Sequence, residues 1–576
     1  MTKVESNNTD KLGKEYFQLP IYHLADKIET DQNIISDLEL VEYKDVSNNN
    51  VYKDTFKPST QYGCEQAKKW SEYFTSNKQF LKDSQSLYTK YNAPLDIYDK
   101  ERFEKVKEIW NLINDDDGFI DKYHYIDIGF LEKFNHESTV LQALTVYNLS
   151  APLISLILPV IILIVPFFIL KLKGLPISIA GYIASLKEVA GNHAVGRLFM
   201  QFRHVSWQQR FYLSISVAFY LFQIYQNTMT CVSFYKRMKL MHYNIFELKD
   251  YATHTIKKMD HLLSIIKNLK TYSGFSKEII HYRETLINFI EDIKFITPFK
   301  NNINKVTQIG DVMKVFYELH SNKQYNEAMQ FSFGFNGYID NIYSLHTQLH
   351  NKRANTCSFT DKKTSFKEAF LPLFDESVVK NTYKLNKKMI ITGPNAAGKT
   401  TLLKTTIFNI LFTQQTGCGF YKTCKLNPYN NIHCYLNIPD TSGRDSLFQA
   451  EARRCKQIID IINEQGKKSR HFAIFDELYS GTNPYEATAS AHGFLEYLSG
   501  YKNVDLMLTT HYIELCKKIA DNKSFDNYHM KINDSTDDIL YTYKLTNGVS
   551  EIKGGLKVLK DLAYPSHILN VAAKNL

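Results

Sequence analysis

Hydrophobic and polar positions change their spacing several times along the chain. Residues 1–60 are polar and rich in Asn, Asp and Lys, which predicts a partly loose start. Over 61–148 apolar residues recur mostly at helical spacing. Residues 138–170 then carry no charged side chain, and 153–170 is Leu, Ile, Val and Phe with one Ser and two prolines, Pro159 and Pro166. Lys171 and Lys173 follow at once. About 20 apolar residues span a bilayer as a helix, and basic residues mark its edge. A second uncharged stretch, 211–235, is bounded by Arg210 and by Lys236 and Arg237. Between the two, 174–186 is apolar but broken by Gly and Pro, as in an interfacial or re-entrant piece. The pattern predicts one or two membrane-embedded helices. The plainer alternative is a buried helical core. Proline inside a soluble helix costs about 3 kcal/mol, whereas membrane helices tolerate it better, which favours the membrane reading.

Residues 236–350 predict long amphipathic helices, notably over 251–269 and 276–296, with charges between the apolar positions. A polar connector is expected at 351–367. Short apolar runs at 388–392, 433–437, 471–475, 504–509 and 539–545 then alternate with helical segments, the pattern of an α/β domain. The domains expected are 1–137 (mostly helical), 138–235 (hydrophobic), 236–365 (helical core and levers) and 366–576 (α/β).

The strongest chemical signal lies in that last domain. An apolar run leads into Gly393, Pro394, Asn395, Ala396, Ala397, Gly398, Lys399, Thr400 and Thr401, and a helix-like segment follows. This is strand, Gly-x-x-x-x-Gly-Lys-Thr, helix. Two glycines let backbone N–H groups converge on phosphate oxygens. Lys399 can reach the β- and γ-phosphates, and the Thr400 hydroxyl can ligate Mg²⁺. The helix N-terminus adds partial positive charge. The run 471–475 ends in Asp476 and Glu477, which suits a Mg²⁺ shell and an acid that polarises the attacking water. After the next run come Thr509, Thr510 and His511, where His511 can contact the γ-phosphate or the water. Ser446 opens a predicted helix, a place for a phosphate or for a plain N-cap.

Composition adds bounds. At 576 residues, 44% apolar and 14% aromatic, the chain has enough for several packed domains. A net charge of +9 permits contact with nucleic acid or anionic lipid and establishes neither. Eight cysteines occur without a Cys-x-x-Cys pair, and an ATP-using domain implies a reducing, cytoplasmic compartment, so free thiols are expected. Cys418, Cys424, His433 and Cys434 fit no common zinc spacing. Residues 114–118 look like a calcium loop, but Ile113 stands where an acid is required, so a solvated turn is expected. The opening stretch lacks the apolar core of a signal peptide.

Taken in order, the motifs resemble those of the MutS mismatch-repair ATPases, a branch of the ABC-type superfamily. The resemblance rests on Thr392 through Thr400, on Asp476-Glu477-Leu478 with Gly481-Thr482-Asn483-Pro484, and on Thr510-His511-Tyr512-x-Glu514-Leu515. Ser446 through Glu451 is similar to the family's Ser-Thr-Phe-x-x-Glu signature, with Leu447 where Thr is usual, and 555–565 is similar to its closing element. The wording at the acid pair leans toward the recombination-suppressing bacterial branch.

The resemblance implies a P-loop α/β ATPase domain of ABC/MutS type, preceded by helical levers. It implies Mg²⁺ and ATP, and a homodimer in which Ser446 acts in trans on the partner's nucleotide. Asn381 is expected near the nucleotide. DNA, mismatched or branched, is the expected partner, with Lys267, Lys270 and Lys294 as phosphate-contact candidates. No Phe-x-Glu mismatch reader is evident, no nuclease extension follows Pro565, and a hydrophobic region takes the place of soluble domains. The rival expectation is therefore a membrane-tethered mechanical ATPase acting on protein or lipid without DNA.

Overall fold

A computed structural model describes all residues except 1–15, 44–49, 93–96, 115–117, 192–205, 301–306, 374–377, 437, 439–445, 536–537, 551–558, 561 and 575–576. The centre of the turn at 114–118, and residues 555–558 and 561 of the closing element at 555–565, lie outside the described residues. The chain forms two compact units: residues 1–100, 257–283 and 330–576, and residues 101–256 with 284–329. The first thus draws on stretches that the sequence assigns to separate segments.

Thirteen strands are described, all in the first unit: β1 (Lys27–Glu29), β2 (Tyr73–Thr75), β3 (Asn355–Phe359), β4 (Ser365–Ala369), β5 (Asn381–Lys384), β6 (Lys388–Thr392), β7 (Cys418–Gly419), β8 (Thr423–Leu426), β9 (Asn431–Tyr435), β10 (His471–Asp476), β11 (Val504–Thr510), β12 (Phe525–Ser535) and β13 (Asp538–Asn547). The main sheet has the order β13-β12-β6-β11-β10-β9. It is parallel from β12 to β9, and β13 returns antiparallel. A second sheet runs β5-β4-β8-β3-β7, and β1 pairs with β2.

The expected connector at 351–367 is a correction, because β3 and the start of β4 occupy it. Of the strand residues in that polar run only Cys357 and Phe366 are buried, so one apolar residue per strand had to carry the signal.

Burial explains the middle of the main sheet. Every residue of β6 and β11 is buried, as parallel strands covered on both faces must be. The helices Leu447–Gln465, Pro484–Ser499 and Ile513–Ile519 supply one cover, with Ile458, Leu495 and Ile519 packed in one cluster with Ile390, Phe475 and Leu506. The helix Lys399–Thr416 is buried around almost its whole circumference, polar residues included. Those polar groups are all engaged. Gln415 accepts from the Tyr52 hydroxyl at 2.5 Å and donates to the Trp70 carbonyl at 2.6 Å. Gln414 donates to the carbonyls of Thr75 and Tyr429, and Asn409 to that of Phe370.

His433 on β9 and His471 on β10 lie stacked and buried, with Nε2 and Nδ1 3.1 Å apart. Burial, and for His433 also the neighbouring imidazole, lowers them to about 3 (His433) and about 4 (His471). The unfolded chain therefore binds more protons than the folded one below about pH 6.5. Stability should be full above that pH and fall as pH drops toward 4. At pH 5 the loss should reach roughly 2 kcal/mol per imidazole. Urea unfolding at pH 7.5 and pH 5 measures it, and H433Q should reduce the difference.

The second unit is helical. Phe119 stacks on His320 with ring centroids 4.1 Å apart, and Lys105 pairs with Glu247 at 3.0 Å. The helix Ser138–Leu172 is anchored at its start. There Gln142 accepts from the Gly310 backbone at 2.7 Å, and Leu141 is fully buried. Further along it presents Ile154 (62% exposed), Ile161 (44%) and Phe168 (61%) to the outside. The helix Ile179–Ala190 folds back on it, with Tyr182 donating to the Leu163 carbonyl at 3.0 Å. The 60-residue helix Trp207–Ile266 meets it through Asn227 and Ser155, and leaves Phe211, Phe219, Phe222 and Tyr225 exposed. Among the described residues, one helical stretch is long and apolar enough to cross a membrane, Ser138–Ile157, and 18% of its most apolar window is buried. The stretch 211–235 is helical but does not meet the same criterion, because its Ser, Gln, Asn and Thr residues dilute the apolar ones.

Candidate nucleotide site

Parallel pairing aligns the carboxyl ends of three strands. Thr392 of β6 lies opposite Thr510 of β11, and Thr509 opposite Asp476 of β10. The loops that leave these ends converge, where open α/β sheets bind ligands.

The loop after β6 turns through three residues with positive φ: Gly393 (150°), Ala396 (62°) and Gly398 (90°). At Gly398 a side chain would be strained twice. Its Cβ would sit 3.0 Å from the Tyr543 ring, and an L-residue resists that φ. Gly398 caps the helix Lys399–Thr416, whose first turn carries Lys399, Thr400 and Thr401. Lys399 folds back and donates to the carbonyls of Gly393 and Pro394 at 3.0 and 3.2 Å.

Asp476 ends β10. Its carboxylate accepts from the Thr400 hydroxyl at 2.7 Å and from the Thr509 hydroxyl. Thr509 thus fixes the acid from the neighbouring strand, a role the sequence did not assign although Thr509 stood beside Thr510 and His511. Glu477 follows in a left-handed conformation (φ 52°), its N–H bonded to the Thr509 carbonyl at 3.1 Å. Its carboxylate lies 2.7 Å from His511 Nε2 and 4.0 Å from Lys399 Nζ. His511 is placed by the turn after β11, where the Tyr512 N–H donates to the Thr510 hydroxyl at 3.0 Å.

One nitrogen, His511 Nε2, thus has Glu477 at 2.7 Å and Lys399 at 3.1 Å. It can donate to the carboxylate or accept from the ammonium, but one lone position cannot do both. The shorter contact selects donation to Glu477, while Lys399 spends its protons on the two loop carbonyls. The hydrogen bond from His511 holds the Glu477 carboxyl below its usual range against the opposing effect of burial, aided by the charges of His511 and Lys399. Burial holds the Lys399 ammonium below the usual lysine range, with Glu477 and Asp476 pulling it back up.

A cleft of about 520 Å³ opens beside the loop. Asn395, Ala396, Ala397, Gly398, Lys399, Thr400, Thr401, Glu477 and Asn381 line it. Leu371, Val378, Val379, Met530 and Tyr543 give it apolar lining as well. Asn381 is buried and has both ends of its amide occupied, donating to the Tyr543 carbonyl at 3.0 Å and accepting from the Leu545 N–H at 2.9 Å. It therefore ties β5 to β13 as well as facing the cleft. Tyr543 left no signal in the sequence, since it reads as one residue of an alternating strand.

Ser446 lies outside this cluster. It is exposed and caps the helix Leu447–Gln465, accepting from the Gln449 N–H at 3.3 Å while Gln449 accepts in return from the Ser446 N–H. A few residues on, Glu451 is buried and bonded to the loop beyond Glu477, which the sequence did not anticipate. Among the described residues no group of three or more His, Cys, Asp or Glu forms a metal site, and the thiols of Cys418, Cys424 and Cys434 are buried and free.

Strand, glycine loop, lysine-bearing helix and an acid pair at the end of β10, two strands from β6, together define the class: an α/β domain with a glycine-rich loop at its strand ends. Comparison with known proteins agrees with this. Residues 389–576 match the family model for MutS domain V. The chain is 29% identical over 243 residues to Endonuclease MutS2 of Staphylococcus epidermidis, covering 41% of this chain and 30% of that protein. It is 27% identical over 285 residues to Endonuclease MutS2 of Lactococcus lactis (48% and 36%). It is 29% identical over 244 residues to DNA mismatch repair protein MutS of Persephonella marina (41% and 28%). The chain therefore spans about a third of the length of these relatives. The matches support the MutS family of ATPases for this C-terminal part.

Proposed function

We propose that the chain is a MutS-type ATPase that hydrolyses ATP as a homodimer and couples closure of the dimer to work on DNA. The observation that carries this reading is the cluster of Lys399, Thr400, Asp476, Glu477 and His511 on adjoining strand ends beside the loop 393–398. A hydroxyl and a carboxylate converging at 2.7 Å form an oxygen donor set that suits Mg²⁺. Thr400 and Asp476 would hold that ion, which neutralises charge on the β- and γ-phosphates when bound with ATP. The backbone of 393–398 and the following helix N-terminus bind phosphate oxygens. Lys399 adds its charge there once drawn off the loop carbonyls. Glu477 accepts a proton from the attacking water, and His511 orients it. Ser446 serves the partner's nucleotide, which its exposure leaves it free to reach.

DNA enters through the relatives, whose names specify mismatch repair and endonuclease activity. The exposed apolar helices of the second unit favour a further element, attachment to a membrane with the ATPase on the cytoplasmic side. They also keep a second reading open, in which the ATPase acts on a protein or lipid and not on DNA.

Retention of duplex, forked and junction DNA, titrated with salt and with or without ATP, separates the two. The expected result is retention at low salt that falls steeply as salt rises, because neutralised phosphates release counterions. No retention of any of these DNAs at low salt would leave the second reading. Mg²⁺-dependent phosphate release from ATP is expected under both, and its absence would remove both.

A further inference from the structure

The helix headed by Ser446 and the loop that follows Glu477 are joined inside one subunit. Glu451, 2% exposed, sends both carboxylate oxygens to that loop. One accepts from the Ser480 hydroxyl at 3.0 Å, the other from the Gly481 N–H at 3.1 Å. Gly481 is pressed against the first turn of the helix. A Cβ there would lie 2.7 Å from Leu447 Cγ and 2.8 Å from the Phe448 backbone nitrogen. Phe448 and Tyr479 add a ring contact at 5.6 Å.

The loop itself is held in a sparsely populated shape. Glu477 and Tyr479 have φ of 52° and 60°, which neither residue type favours. Such conformations persist where surrounding contacts over-determine them. Here Thr509 holds the Glu477 N–H and the Tyr435 hydroxyl holds that of Tyr479, and from the helix Glu451 bonds the loop three and four residues beyond Glu477. A shift of the helix start must therefore displace the loop, or break two charge-assisted hydrogen bonds in a buried place.

We propose that Glu451 is a positioning residue that couples the Ser446 helix to Glu477 of the same subunit. The proposal rests on the reading above, in which Ser446 engages the partner's nucleotide. Nucleotide bound by one subunit then bears on the partner's Ser446, and through Glu451 on the partner's own Glu477. Each site thereby senses the occupancy of the other.

The test uses the full chain. E451Q keeps one acceptor oxygen but turns an amide N–H toward Ser480 or toward the Gly481 N–H, which can only donate. Turnover of the E451Q homodimer should fall about tenfold or more, with nucleotide affinity unchanged. Differently tagged heterodimers assign the direction. With E477Q on one subunit, a single site turns over. Placing E451Q on the subunit that keeps Glu477 should slow that site. Placing E451Q on the E477Q subunit should leave it at the rate of the E477Q/wild-type heterodimer.

The opposite assignment would overturn the proposal, since Glu451 would then act only by presenting Ser446 to the partner. So would wild-type turnover in both arrangements. S480A, which removes one donor without touching the helix, should slow turnover in the same arrangement by a smaller factor. If E451Q does not fold, wild-type turnover in S480A overturns the proposal. The E477Q homodimer is the control: wild-type hydrolysis there would refute the role of Glu477 itself, separately from that of Glu451.

Discussion

Glu477→Gln should bind ATP at least as tightly as the wild type and hydrolyse it about a thousandfold more slowly, within the usual contribution of a positioned general base. The substitution is nearly isosteric, so the loop ties at Ser480 and Gly481 are untouched. The amide oxygen still accepts from His511, so the imidazole keeps its partner. What disappears is the capacity to take a proton from water, together with the negative charge 4.0 Å from Lys399. That lost charge frees the ammonium, which favours nucleotide binding. Turnover and affinity should therefore separate. Phosphate release measured beside the binding of a fluorescent ATP analogue reads both. Wild-type phosphate release in the variant would refute the role assigned to Glu477.

The second large effect concerns the apolar helices. Ile154, Ile161 and Phe168 are spaced by seven residues, so they share one stripe of the helix Ser138–Leu172, and all three are exposed. A monomeric soluble surface rarely carries such a continuous apolar face. I154D/I161D/F168D places three carboxylates along it. Each costs about 2.5–3.5 kcal/mol at the centre of a bilayer, enough together to abolish insertion. Wild-type protein should float with phospholipid vesicles in a density gradient, and the triple variant should stay at the bottom. Nucleotide affinity should be equal in both, because these residues and the candidate site belong to different compact units. Wild-type protein that does not float, or a variant that floats equally well, would remove the membrane from the proposal.

Much of the α/β part was legible because its strands are buried on both faces. The runs at 388–392, 471–475 and 504–509 coincide with β6, β10 and β11, where continuous apolar composition and burial are one fact seen twice. The edge strands β9 and β13 fall on the runs at 433–437 and 539–545, but the half-buried β12 escaped. β12 reads Phe-Asp-Asn-Tyr-His-Met-Lys and owes its place to pairing with β6 and β13, which a local pattern does not record. The loop 393–400 and the acid pair were legible because each role restricts residue type. Thr509, Glu451 and Tyr543 were not singled out, because Thr, Glu and Tyr occupy many ordinary positions and only the tertiary register brings these three to the site. Residues 61–91 were read as helical and their helices form, while the helices within 16–60 stand where a partly loose start was expected; nothing local showed that either stretch packs onto the helix Lys399–Thr416.

That packing sets a limit on how this engine can be moved between proteins. The Lys399–Thr416 helix carries Gln414 and Gln415 in full burial, and their partners Tyr52, Trp70, Tyr73 and Thr75 stand more than three hundred residues earlier. A cut near residue 366 would strip those partners away and bare to water the apolar face they cover, including Phe408 and Phe412, against which Tyr52 packs. The α/β third of the chain is thus not a separable cassette. It folds together with residues 16–91, so an exchange that replaces one of the two stretches alone breaks their shared core.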